Sequence, residues 1–333
     1  MTSLPTLDFS KFTHGSEAEK LELSVALVQS LTNHGFVKLI NFGIDDDRIY
    51  ALKDWSSKFF ALPADVKNEI VCHRGPHPQR GWSCVGSEQT SKLRKENILG
   101  RNADELADER EHFDAGPLAD SEYANKWPRD DALPGFELFM GTTYNIFQET
   151  CLTIMEAMEL GLGLEAGTLG DRCREAASEI RLNRYPPVSI DRLADGRVKR
   201  TWPHTDFGII TLLFQDEVGG LELEDREHPG KFAPVAPAQP GQPLEMVVNI
   251  SNTFERWTNG VIKAGLHQVT APPKYKTETK GILPERHSCV FFFKASRDVL
   301  VGSHPMFVTP TNPAKFDEIT ALQYQQQMTK ELY

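Results

Sequence analysis

From Glu179 onward the apolar residues fall into short runs of alternating or continuous hydrophobicity, and this bounds the fold more tightly than any other feature. Ile180–Tyr185, Gly208–Gln215, Leu221–Glu224, Met246–Ile250, His267–Val269 and Ser288–Lys294 each read as a strand. Clusters of Gly, Pro and Asn separate them, which is the pattern of a sandwich or jelly roll. The earlier part of the chain has a different period. Leu21, Val25, Leu27, Val28 and Leu31 recur at helical spacing within Glu17–Asn33, and His34-Gly35 supplies a stop. Asp45–Phe60 is a second amphipathic helix, Asp65–Ile70 adds a turn, and Leu4–Phe9 and Phe36–Ile40 read as strands. Between Pro134 and Gly163, a stripe running from Phe136 through Tyr144, Phe147 and Ile154 to Met158 predicts one or two packed helices. Asp317–Met328 predicts a C-terminal helix. The expected class is α+β, with helices before and around a β-core and the 333 residues forming one domain. Residues 72–131, rich in Gly, Pro and charge, read as irregular, and a loop of that length is often functional.

The chemistry-bearing residues cluster at the starts of these strand signals. In Trp202-Pro203-His204-Thr205-Asp206, His204 and Asp206 are two apart, so a strand would point both to one face. His267, opening a later strand, is the natural third partner. Two imidazoles and one carboxylate form the facial triad that suits non-haem Fe(II) and leaves coordination positions open. The same three residues would also suit a zinc hydrolase. Arg286 and Ser288 alternate onto one face of their strand, where a guanidinium and a hydroxyl can fork onto a carboxylate. Arg181, Asn183 and Tyr185 share a face in Arg181-Leu182-Asn183-Arg184-Tyr185-Pro186, with Asn and Tyr as neutral donors.

In order along nearly the whole chain, these motifs resemble the isopenicillin N synthase-like branch of Fe(II)/2-oxoglutarate-dependent oxygenases. The resemblance includes Asn33-His34-Gly35-Phe36, Phe59-Phe60-Ala61-Leu62-Pro63, Arg80-Gly81-Trp82-Ser83, Lys95-Glu96-Asn97 and Asn183-Arg184-Tyr185-Pro186. It continues through His204-Thr205-Asp206, Gly219-Gly220-Leu221, Arg256-Trp257-Thr258-Asn259-Gly260, His267 and Arg286-His287-Ser288. It implies a distorted double-stranded β-helix over about 178–305, preceded by the family's helical and irregular region over about 1–130. It implies Fe(II) on His204, Asp206 and His267, and 2-oxoglutarate bound by Arg286 and Ser288 with Tyr185 and Asn183. It further implies reaction with O₂ to give succinate, CO₂ and a ferryl species that abstracts a substrate hydrogen. The chain departs from the family at Ser251-Asn252 and around Lys263–Val269, without losing a proposed ligand.

For the substrate, Arg181, Phe207 and Phe292 are the pocket-facing candidates, an arrangement suited to a flat, oxygenated ring. The expectation is oxidation of a small planar, polyketide-derived secondary metabolite, by hydroxylation or by ring expansion to a tropolone. Thymine hydroxylation is the competing enzyme reading, and a non-catalytic iron- or 2-oxoglutarate-binding sensor is the reading from another class. The formal charge of −11, without a basic run, argues against nucleic acid as a partner. The five cysteines are scattered and odd in number, which favours a reducing compartment, and no secretory or membrane segment is apparent. Cytoplasm and a monomer are the default expectations.

Overall fold

The computed structural model describes residues 4–93, 102–239, 241–278 and 280–332. The motif Lys95-Glu96-Asn97 lies outside them. Eight strands build the larger sheet: Thr6–Asp8 (β1), Phe36–Ile40 (β2), Gly81–Ser83 (β3), Glu111–Ala115 (β4), Glu179–Tyr185 (β5), Ile210–Gln215 (β7), Met246–Ile250 (β10) and Arg286–Phe293 (β12). Thr201–His204 (β6), Leu221–Glu224 (β8), Phe232–Pro234 (β9) and His267–Val269 (β11) build the smaller one. The strand orders are β1-β2-β10-β7-β12-β5-β4-β3 and β9-β8-β11-β6. Every pairing in these two sheets is antiparallel except β1 with β2. This is the double-stranded β-helix, flanked by helices.

The pleat sorts the side chains of the larger sheet into two environments. Leu212, Phe214, Val248, Ile250, Phe291, Phe293, Ile180 and Leu182 join the main hydrophobic core with the helices. The alternate residues, among them Thr211, Leu213, Asn249, Ser288, Val290, Asn183 and Tyr185, face a small cavity between the sheets. The helices supply the other half of the core. Glu17–His34 (α1) starts on a capping box between Ser16 and Glu19 and ends at Gly35, whose φ of 77° is left-handed. Asp46–Phe60 (α2) is capped by Asp45. Phe136–Leu162 (α3) is a single 27-residue helix, not two, with Met140, Phe147, Ile154 and Met158 fully buried.

Two departures from the sequence expectation have local causes. The last helix, Ala321–Leu332 (α4), begins four residues later than the spacing predicts. Ile319 and Thr320 are held extended by pairing with Val301 and Leu300, and the Thr320 hydroxyl then caps the helix through the Gln323 amide. Strand β6, which carries Pro203, is not among the separate strand runs read from the sequence. It lies at the edge of the smaller sheet, where a missing N–H breaks no inner ladder. Among the described residues, no helix is long and apolar enough to cross a membrane.

Candidate metal, cosubstrate and substrate site

His204 closes β6 and His267 opens β11, and the antiparallel pairing of these strands sets the two residues directly opposite each other. A bulge between His267 and Val269 shifts the register beside them. Their ring centroids are 4.3 Å apart. Asp206 arrives differently from the expectation. The strand ends at His204, so Asp206 sits in the turn leading to β7, where its carbonyl accepts from the Asn252 amide at 2.8 Å. The chain's turn, not the pleat, brings its Oδ1 to 3.7 Å from His204 Nε2. Donor atoms of His204, Asp206 and His267 all lie within 4.8 Å of one another.

The hydrogen bonds around these three leave one donor atom of each free, and these atoms are neighbours. His204 Nδ1 is 2.9 Å from the Trp202 carbonyl, and His267 Nδ1 is 3.1 Å from the Gly265 carbonyl. Both carbonyls can only accept, so Nδ1 carries the proton and Nε2 is free. Asp206 Oδ2 accepts from Thr211 Oγ1 at 2.7 Å and from Asn249 Nδ2 at 2.8 Å, which leaves Oδ1 available. Burial, reinforced by His267, pushes His204 down to about 3, so its imidazole is neutral. Burial opposes ionisation of Asp206, but His267, His204 and the two donors outweigh it and hold the carboxyl below its ordinary range. Two imidazoles, each with Nδ1 tied to a carbonyl, and a carboxylate with fixed outer partners fit a divalent metal. Phe36 packs edge-on against His267, with centroids 5.8 Å apart. Gly265 permits this approach, because a Cβ there would meet the Phe36 ring at 2.4 Å.

On one side of the triad lies a cavity of about 30 Å³ lined by Asn183, Tyr185, Thr201, Ser288 and Phe292, among others. Arg286 Nη1 donates to Ser288 Oγ at 3.2 Å, and its guanidinium lies 4.8 Å from the Tyr185 ring centre. Asn183 Nδ2 is 3.5 Å from the same hydroxyl, and Thr201 Oγ1 is 3.4 Å from the Tyr185 hydroxyl. Arg286 is fully buried, and among the described residues it faces no carboxylate, its Nε makes no hydrogen bond, and Asn183 Oδ1 is also unpartnered. Arg200 repeats the theme. It is fully buried, donates to the Pro284 carbonyl, leaves Nε and Nη1 unpartnered, and stands 6.0 Å from the Tyr185 ring centre. Burial and Arg286 push Arg200 down to about 10, so it stays charged at neutral pH. Buried cations without a protein anion call for one from a ligand.

On the other side is a cavity of about 60 Å³ bounded by Phe207, Phe292, Arg181, Glu88, Lys294 and the C-terminal helix residues Gln325, Thr329 and Leu332, among others. Arg181, expected to offer donors to a substrate, lines this cavity but has its donors engaged. Nε reaches Asp114 at 2.7 Å, Nη1 reaches Glu88 at 3.0 Å, and Nη2 reaches Gln79 at 2.6 Å. Its guanidinium also lies 5.4 Å from the Phe292 ring centre. Behind it, Glu179 pairs with Lys294 and with Arg80, the latter at 2.9 Å, and Arg110 pairs with Glu88 at 2.6 Å. Arg80, Arg110, Arg181 and Lys294 thus face Glu88, Asp108, Asp114 and Glu179, four charges of each sign.

Sequence reasoning missed this lattice, although its signal is present. Arg110, just before β4, and His112 and Asp114 within it are spaced to share one face, and an alternating polar face ordinarily reads as solvent-facing. Here that face is buried. Thr211 and Asn249, the outer partners of Asp206, lie inside strands recognised by their apolar neighbours and carried no separate signal.

Comparison with known proteins agrees with this geometry. The profile described as the N-terminal part of non-haem dioxygenases in morphine synthesis matches residues 4–130, and that of the 2OG-Fe(II) oxygenase superfamily matches residues 177–295. The 2-oxoglutarate-dependent dioxygenase phqC of Penicillium fellutanum is 46% identical over 98% of this chain and 94% of its own length. The 2-oxoglutarate-dependent dioxygenase ecdK of Aspergillus rugulosus is 43% identical over 99% and 100%. The full-length thymine 7-hydroxylase of Neurospora crassa, solved with alpha-KG, superposes with a TM-score of 0.84 at 29% identity, covering 98% of this chain and 95% of that one. The chain belongs to the 2OG-Fe(II) oxygenase superfamily and is a 2-oxoglutarate-dependent dioxygenase using Fe(II), 2-oxoglutarate and O₂. Its relatives are enzymes acting on small molecules, and several are fungal dioxygenases named with 2-oxoglutarate.

Proposed function

We propose that His204, Asp206 and His267 hold the Fe(II), and that Arg286 and Ser288, with Tyr185 and Asn183, receive the far carboxylate of 2-oxoglutarate. The observation that carries this is the polarity of the hydrogen bonding. Each triad residue has one donor atom left free, and Arg286, which donates to the Ser288 hydroxyl in the cavity wall, is a buried guanidinium with no protein anion among the described residues. Bound iron and 2-oxoglutarate together supply O₂ activation coupled to decarboxylation, so that R–H, 2-oxoglutarate and O₂ become R–OH, succinate and CO₂. The chain's part is to keep the His204 imidazole neutral, to orient Asp206 through Thr211 and Asn249, and to keep water from the cavity. One oxygenase domain spans the chain in this reading.

The substrate is a small planar secondary metabolite, held between Phe207 and Phe292 in the cavity over the triad. The aromatic walls, the small volume and the fungal dioxygenase relatives support this, with hydroxylation as the basic reaction and ring expansion as its variant. Pyrimidine hydroxylation is a second reading, favoured because the Neurospora crassa enzyme was also solved with thymine, at a TM-score of 0.84. The test is succinate formation with Fe(II), 2-oxoglutarate and O₂ across thymine, phenolic aldehydes and methyl-hydroxy-dienones. One compound should raise succinate, and His204→Ala should abolish the rise. Substrate-stimulated succinate that persists in His204→Ala would sink the assignment.

A further inference from the structure

Arg110 immediately precedes β4 and lines both cavities, the one over the triad and the one beside it. It is 6% exposed. Its Nη2 donates to Glu88 Oε2 at 2.6 Å and lies 3.6 Å from Asp108 Oδ2. Its Nε is buried and donates to nothing among the described residues. Glu88 cannot turn further toward it, because both of its oxygens are already shared with Arg181, at 2.9 and 3.0 Å. Asp108 is occupied by the Thr90 hydroxyl, 3.0 Å from each of its oxygens. So of the two guanidiniums in the substrate cavity wall, Arg181 is engaged along its edges and Arg110 is fixed at one end and unsatisfied at another. A buried charged donor left in that state is costly unless a ligand completes it.

We propose that Arg110 is the substrate-anchoring donor, hydrogen-bonding an acceptor oxygen of the substrate next to the carbon presented to His204, Asp206 and His267. Glu88 and Asp108 hold the guanidinium in place for this. The acceptor is a carbonyl, hydroxyl or carboxylate oxygen, and 2-oxoglutarate is a poorer claimant because Arg286 and Ser288 already offer it their donors. This inference rests on the cavity over the triad being the substrate site.

The test uses the full chain with Mn(II) in place of iron and succinate present. Probes are toluene, p-cresol, 4-methylbenzoate and thymine, which share a methyl-bearing ring and differ in their oxygen acceptors. Binding is followed by calorimetry in wild type, Arg110→Lys and Arg110→Met. At least one oxygenated probe should bind wild type and weaken about 10- to 100-fold in Arg110→Met, the range for a hydrogen bond to a charged group. Arg110→Lys should restore part of it, toluene should be unmoved, and the strongest oxygenated probe identifies the acceptor. Equal affinities in wild type and Arg110→Met overturn the proposal. So does failure of every oxygenated probe to bind wild type at millimolar concentration, or weakened 2-oxoglutarate affinity with the probes unmoved. If wild type with iron makes no succinate from 2-oxoglutarate at all, the underlying reading of the site has failed instead.

Discussion

In the proposed reading, the two cavities flanking the triad both have buried guanidiniums beside them and solve opposite problems. On the cosubstrate side, Arg286 and Arg200 are buried with no carboxylate of the described residues beside them. On the substrate side, Arg80, Arg181 and Lys294 are each paired with Glu88, Asp114 or Glu179. An unpaired buried cation is poised for an anion from outside, while a paired one forms a wall that demands no charge of its ligand. In the proposed reading the protein thus separates a side that awaits a dianion from a side whose cations, Arg110 Nε aside, are paired among the described residues.

That contrast can be broken in several ways, and the largest effect tests the ground both sides share. Asp206→Ala should abolish metal binding by equilibrium dialysis, and with it all succinate formation. Next, Arg286→Met should weaken 2-oxoglutarate binding by about 2–5 kcal/mol, the range for truncating one partner of a buried charge pair. Calorimetry with Mn(II) measures it. Glu88→Gln should do the reverse: 2-oxoglutarate affinity holds, while chemical denaturation shows a loss of about 3–5 kcal/mol from leaving Arg110 without its close ion-pair partner and Arg181 with Asp114 alone. A destabilised Arg286→Met with unchanged cosubstrate affinity would erase the distinction.

Smaller effects sharpen it. Burial holds Asp108 up at about 6, against 3.8 for the free group, despite Arg110 and Thr90. A raised folded pKa means that ionising the group costs stability. The cost is absent below about pH 3.8, grows as pH rises, and is complete above about pH 6. Asp108→Asn should therefore stabilise the protein by up to about 3 kcal/mol at pH 8 and give no gain near pH 3.8. Melting curves at the two pH values decide this. Last, Arg200→Met should raise the melting temperature of the ligand-free protein while weakening 2-oxoglutarate about tenfold, since hydrogen bonds to charged groups contribute ~1.5–3 kcal/mol. The same change at Arg181 should only lower the melting temperature.

The two sides also differ in how legible they were. The triad, Arg286, Ser288, Asn183 and Tyr185 stand out in sequence because each is a polar residue inside or beside an apolar strand. The strand alternation that predicts β5, β7, β10 and β12 also tells which residues face inward. The ionic lattice is spread over Glu88, Arg110, Asp114, Glu179 and Lys294, far apart in the chain, the first three in a segment that looks solvent-exposed by composition. Only the pairing of β4 with β5, which sets Asp114 opposite Arg181, assembles it. Asp206 taught the complementary lesson: its two-residue spacing from His204 suggested a shared strand face, while a turn does the work.

The order of the larger sheet has a consequence for dividing this chain. Strands β1 and β2 close one edge of it and β3 and β4 close the other, and all four come from the first 130 residues. The segment 177–295 that bears the triad occupies the middle. Expressed alone, it would leave one side of Met246–Ile250 and one side of Glu179–Tyr185 without a neighbouring strand, two open borders of the kind that recruit other chains into β-aggregates. The amino-terminal third is therefore not an appendage to a catalytic module but its selvedge, the woven border that keeps the fabric from running.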